Sequence, residues 1–170
     1  MVREVYIANE TISLVQFVDE DIRDNYNNWL DLATQEGFNF KFNQTYEEYC
    51  QKERRQRWIA AIMLNNTKQI IGTIGLSPIT SPPDLAIWMY KDFRYNGYGT
   101  AAFRLGIEYC FSNLELDYVY AGCYEHNSVS MKMLAKCGFQ RHVEGDVTET
   151  HFLTNEPIIQ YDFIINKKGK

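Results

Sequence analysis

From residue 91 the chain reads KDFRYNGYGTAAF, with Gly97 and Gly99 separated by one residue and the small side chains Thr100, Ala101 and Ala102 directly behind them. An apolar run, DLAIWMY over 84–90, precedes this stretch, and Phe103, Ile107, Cys110, Phe111 and Leu114 follow at helical spacing. The segment therefore reads as a strand, a glycine turn and a helix packed on a sheet. The first N–H groups of a helix have no intrahelical acceptor and the helix dipole is positive there, so this junction suits an anion. Glycine at 97 and 99 admits φ > 0 and close backbone approach, Thr100 is the expected helix cap, and Arg94 adds a nearby positive charge.

A strand feeding a helix must return to a parallel strand, and 117–125 supplies one. Upstream, 12–18 has strand composition and the acids at 19–21 open a helix continuing through Ala33. Residues 37–46 place Phe38, Phe40 and Phe42 on one face if extended, and read equally as an aromatic loop. Thr45 and Glu48 form a capping box for a short charged helix. Apolar runs at 57–64, 69–79 and 84–90, separated by short turns, predict an antiparallel meander. A helix over 128–137, closed by Gly138, and a strand pair at 139–145 and 156–165 complete the chain. The expected fold class is a mixed α/β sheet, mostly antiparallel, in one domain over 1–170.

Charge removes several partners. The net charge is −5, and the basic residues are scattered apart from 52–57 and Lys167, Lys168 and Lys170, so no basic stripe awaits nucleic acid. Cys50, Cys110, Cys123 and Cys137 form no CxxC pair and stand at no ligand spacing to histidine, which predicts buried thiols in a reducing compartment and no metal site. No signal-peptide h-region and no run long enough to cross a bilayer is found, so a cytoplasmic protein with no membrane partner is expected. An acidic balance suits a cationic substrate without selecting one.

GYGTAA satisfies the dinucleotide pattern G-x-G-x-x-A, but it follows a meander, and Glu115 and Asp117 precede the next strand instead of ending it. A Walker loop fails for want of G-K-[ST]. Arg94-Tyr95-Asn96-Gly97-Tyr98-Gly99 resembles the [Q/R]-x-x-G-x-[G/A] signature of the GNAT superfamily of N-acetyltransferases, and YEHNSVSMKMLAKCGF resembles that family's following strand end and helix. With the element order, the likeness covers about 10–165 and is greatest to the RimJ/RimL-like branch.

The resemblance implies a GNAT fold with splayed fourth and fifth strands, here 84–90 and 117–125, and acetyl-CoA as co-substrate. It places the pyrophosphate on the amides of Tyr95, Asn96, Gly97, Tyr98, Gly99 and Thr100 beside Arg94. The pantetheine would then pair with the backbone of Ile87, Trp88, Met89 and Tyr90 and contact Asn127, which reads equally as a helix cap. Glu125 and His126, just beyond the fifth strand, are the candidate general bases, with Glu125 favoured, and Glu144, Glu149 and His151 near the closing strands are unranked. The tyrosine that many members use to protonate the thiolate is replaced by Leu134, leaving Ser130 or water for that step. Trp29, Phe38, Phe40 and Phe42 read either as walls of an acceptor pocket or as core. The implied function is acetylation of a small-molecule amine or a protein N-terminus in a ternary complex, by a monomer or homodimer. A non-catalytic acyl-CoA-binding module and a nicotinamide-dependent oxidoreductase are the alternatives.

Overall fold

The computed structural model describes residues 2–52 and 54–168. Met1, Glu53, Gly169 and Lys170 lie outside them, and with them the end of the C-terminal basic group. Five strands, β1 (Val5–Ala8), β2 (Ile12–Gln16), β3 (Trp58–Leu64), β4 (Ile70–Leu76) and β5 (Leu85–Met89), form an antiparallel sheet in chain order. A second sheet has β6 (Tyr118–Tyr124) on one edge of β9 (Pro157–Asn166), while β7 (Gln140–Arg141) and β8 (Val147–Thr150) occupy successive stretches of its other edge.

Between β2 and β3 lie three short helices, α1 (Ile22–Trp29), α2 (Leu32–Gly37) and α3 (Tyr46–Gln51). The crossover from β5 to β6 is α4 (Tyr98–Ser112), and α5 (Ser128–Lys136) follows β6. This is the expected mixed sheet with flanking helices. Its two halves meet at one parallel bridge, Asp84 to Tyr120, where Tyr120 N–H donates to Pro83 O at 2.8 Å. Beyond that bridge β5 and β6 part, giving the fork expected of the fourth and fifth strands.

The α4 stripe is as the spacing predicts: Phe103, Ile107 and Cys110 are buried, and Phe111 and Leu114 pack partly buried against them. Gly106 lets the helix seat closely, since a Cβ there would stand 2.6 Å from Ile74 Cδ1. Gly138 takes φ 91° at the end of α5, where Phe139 N–H closes on Leu134 O at 3.1 Å.

Two expectations are corrected and one open reading is decided. The segment from residue 19 to 33 is not one helix, because Asp31 adopts extended backbone and caps α2 by accepting from Thr34 N–H. Residues 38–45, which read equally as a strand or an aromatic loop, form the loop, with Asn39 at φ 46°. The strands β1 and β8 are additional to the expected elements; both are short edge segments whose pairing partner fixes them. No described helix is long and apolar enough to cross a membrane.

Candidate active site

The fork opens into a cavity of about 720 Å³ bounded by β5, the turn after it, β6 and the start of α5. That volume lies in the usual range for small-molecule sites. Its mouth is the turn. Lys91–Phe93 form one 3-10 turn, Tyr95 takes φ 63°, and Gly97 takes φ 80° as the N-cap of α4. Asn96 Nδ2 donates to Arg94 O at 3.1 Å and braces the loop.

A Cβ on Gly97 would meet nothing within 4 Å, so glycine is required there by φ and not by space. Gly99 differs: it lies inside the helix, and a Cβ would touch Met89 Cγ at 3.4 Å. Thr100 is likewise the third helical residue, not the expected cap. No side chain caps α4, and the first intrahelical bond is Ala101 N–H to Gly97 O at 3.2 Å. The N–H groups of Tyr98, Gly99 and Thr100 therefore precede the helix's own acceptors.

Arg94 lines the cavity, but its guanidinium is already engaged. Nε donates to Met89 O at 3.0 Å, Nη1 to Asp31 Oδ2 at 2.7 Å, and Nη2 to Asn28 Oδ1 at 3.1 Å and Thr34 Oγ1 at 2.8 Å. The side chain is a strut between the α1–α2 joint and the end of β5. Burial works to raise the Asp31 carboxyl, yet the Arg94 hydrogen bond and charge outweigh it and hold Asp31 below its ordinary value.

The open edge of β5 is only partly free. Tyr90 N–H bonds Ile71 O, and Asp84 O accepts from Ser77 N–H, each at 2.9 Å. Backbone groups alternate along an antiparallel strand, so Trp88 and Tyr90 point theirs at β4 while Ile87 and Met89 turn theirs to the fork. The Tyr90 side chain does not line the cavity; its hydroxyl lies 3.5 Å from Thr73 Oγ1, and burial pushes it up to about 12.

On the facing side, Asn127 Oδ1 accepts from Ser130 N–H at 3.0 Å and caps α5. Asn127 and Ser130 both line the cavity, as does buried Leu134. Glu125 does not: it is exposed, and its Oε1 accepts from Ile159 N–H at 2.9 Å along the β6–β9 edge. Asp84 lines the cavity at its base, and Glu149 reaches it through Tyr124: Glu149 Oε2 accepts from the hydroxyl of cavity-lining Tyr124 at 2.8 Å and from Asn39 Nδ2 at 3.2 Å. Burial first, then the Glu149 bond and charge, pushes the Tyr124 hydroxyl well above its ordinary value. His126 stacks on the Tyr124 ring and meets His151 edge-on. No sequence spacing ties residue 149 to 124; the link exists only through the register of both on β9. At the closed base of the fork, burial and then the charge of Asp162 raise the Asp84 carboxyl to about 6.

The aromatic residues of α1 and the following loop gather with Trp88. Phe38 stacks on Trp88 with centroids 5.3 Å apart and planes at 15°, and Trp29 contacts both rings. Among the described residues, no group of three or more His, Cys, Asp or Glu is placed to hold a metal ion. Of the four free cysteines expected to be buried, Cys110 and Cys123 are, whereas Cys137 is half-buried and Cys50, on α3, is exposed.

Known proteins share this arrangement. The acetyltransferase (GNAT) domain family matches residues 8–140. The chain is similar to "Uncharacterized N-acetyltransferase YoaA" of Bacillus subtilis, 29% identical over 117 residues, covering 67% of this chain and 64% of that one. It is also similar to "Probable N-acetyltransferase YjcK" of the same organism, 33% identical over 104 residues, covering 59% and 55%. The matched stretch thus spans less than two thirds of either relative. Among solved structures, it is similar in fold to spermidine N-acetyltransferase from Vibrio cholerae in complex with CoA and spermine, with TM-score 0.82 and 16% identity, covering 93% of this chain and 96% of that one. With a match that begins before β2 and runs through both arms of the fork and the turn at its mouth, this chain belongs to the acetyltransferase (GNAT) domain family.

Proposed function

We propose that this protein is an acetyl-CoA-dependent N-acetyltransferase that moves the acetyl group to a primary amine, a small-molecule amine or a protein N-terminus, in a ternary complex. One observation carries the reading: the uncapped start of α4 and the β5 edge at Ile87 and Met89, where Met89 O is taken by Arg94 but the Ile87 groups and the Met89 N–H turn away from β4, open into the same cavity. The N–H groups of Tyr98, Gly99 and Thr100 receive the pyrophosphate, with Gly97 holding the turn and Tyr95 and Asn96 flanking it. Arg94 supports that turn from behind. Ile87 and Met89 pair with the pantetheine as an added strand would, and Asn127 offers Nδ2 to it while Oδ1 stays on the helix cap.

In the reaction, a main-chain N–H of β5 polarises the thioester carbonyl. The neutral amine attacks the carbonyl carbon, the C–N bond forms, the C–S bond breaks, and the thiolate takes a proton from Ser130 or water. The attacking amine gives up its proton through water toward the Tyr124–Glu149 pair, a carboxylate hydrogen-bonded to a cavity-lining hydroxyl. Glu125, held at Ile159, is not carried into this mechanism. The RimJ/RimL-like likeness does not choose between a protein N-terminus and a small amine.

Leu134, buried where many members place a tyrosine, favours a second reading, a module that binds acyl-CoA without turning it over. Calorimetric titration with CoA and NAD, run beside a thiol-release assay on an amine and peptide panel, separates them. Binding of CoA but not NAD, with acceptor-dependent thiol release, is expected. Tight CoA binding with no release for any acceptor selects the module, and no CoA binding overturns both readings.

A further inference from the structure

A second cavity of about 340 Å³ lies against the face of β3, β4 and β5 that α1 and α3 cover, and it shares two wall residues, Phe38 and Trp88, with the cofactor cavity. Its walls are rings. Trp29 stacks on Phe42 at 5.9 Å and 19°, Phe40 meets Trp29 edge-on at 5.9 Å, and Phe42 meets Tyr49 at 5.7 Å. Its polar floor is closed on itself: Asn25 Nδ2 donates to Thr73 Oγ1 at 2.9 Å and the Tyr49 hydroxyl donates to Asn25 Oδ1. Trp88 is the exception, since its Nε1–H is buried with no partner among the described residues.

The charge of this cavity is one-signed. Lys52 and Arg54 line it, and no carboxylate does among the described residues. Arg54 is seated, with its guanidinium carbon 5.3 Å from the Phe17 ring centroid and 5.9 Å from that of Tyr49. Two cations and a box of rings repel a polycation and hold a flat apolar body with an anionic end. The protein called spermidine N-acetyltransferase, similar in fold, was captured with spermine; the groups lining this cavity suit a different ligand.

We infer that the acceptor is an aromatic amine carrying a carboxylate remote from the amino group, its ring between Trp29, Phe38, Phe42 and Trp88, its carboxylate at Lys52 and Arg54, and its amine at the junction with the cofactor cavity. Only the amine end rests on the acetyltransferase reading; the ring and the carboxylate rest on this cavity. Phe38 and Trp88 then set specificity, since they border acceptor and donor together.

The test compares 4-(2-aminoethyl)benzoate with phenethylamine, which lacks only the carboxylate, and with spermidine. Binding is measured by calorimetry in the presence of CoA, and thiol release is followed with acetyl-CoA. The carboxylated amine is expected to bind at least tenfold more tightly than phenethylamine and to be the best substrate. The variant with Lys52→Gln and Arg54→Gln is expected to melt like the parent and to bind the two aromatic amines alike. Equal or tighter binding of phenethylamine or spermidine, a preference that survives the double substitution, or no binding of the carboxylated amine overturns the inference. Carboxylated amine bound as expected but never acetylated upholds the cavity assignment and fails the acetyltransferase reading; spermidine acetylated in preference does the reverse.

Discussion

Two helices begin at the cavity and they begin differently. At α5 the side chain of Asn127 accepts from Ser130 N–H, and the short helices α2 and α3 are capped in the same way by Asp31 and Thr45. The longest helix, α4, starts on Gly97 and has no capping side chain. A cap contributes typically about 1 kcal/mol. The helix α1 also lacks one, but it continues directly from a 3-10 turn at Asp19–Asp21, whereas the start of α4 opens onto the cavity, so there the N–H groups stay available to an incoming anion. The contrast separates donors committed to the fold from donors left for a ligand.

Filling the vacancy at α4 gives the largest effect. Gly97→Asp brings a residue type that tolerates the left-handed region and adds a capping carboxylate, and CoA affinity is expected to fall about 100-fold, near 2.7 kcal/mol by calorimetry. Gly97→Asn caps without charge and should lose about tenfold; equal losses would show that strain at φ 80°, not competition for the N–H groups, governs the site.

Next is the strut. Arg94→Gln removes the ion pair with Asp31 and at least two further donors, and a loss of about 2 kcal/mol in denaturant unfolding is expected. A purely pyrophosphate-binding Arg94 would instead lose CoA affinity at unchanged stability. Acid reports the same pair. Because Asp31 sits below its ordinary value when folded, its contribution is complete above the unfolded value of about 3.9 and fades as pH falls through the folded one. Stability measured between pH 5 and 2.5 should fall less steeply in Asp31→Asn than in the parent.

Asn127→Ala should cost about 1 kcal/mol of stability together with a several-fold loss of CoA affinity, since Asn127 both caps α5 and lines the cavity. Thr45→Ala removes an exposed capping box remote from the fork and should cost about 0.5–1 kcal/mol with CoA binding untouched.

Local chemistry was readable wherever partners lie close in the chain. The α4 stripe, the Thr45–Glu48 box, the meander and the Gly138 stop all depend on neighbours within a few residues or on simple periodicity. Arg94 shows the opposite case: its position in the turn points to a phosphate, whereas, besides Met89 O nearby, its partners Asn28, Asp31 and Thr34 come from about sixty residues upstream. The choice between Glu125 and Glu149 depends on which side of β9 each strand takes, and nothing near either residue encodes that. The two-cavity geometry around Phe38 and Trp88 is equally non-local, since a loop and a strand supply one ring each.

Gly106 carries the last lesson. It lies nine residues beyond Gly97, about 13 Å along the helix, and a methyl group there would strike Ile74 and crowd Leu85. A rigid rod seated in a notch transmits any lift at the notch to its tip. Substitutions at this deeply packed position, which does not itself line the cavity, would surface in a screen for weakened donor binding and be mistaken for contact residues.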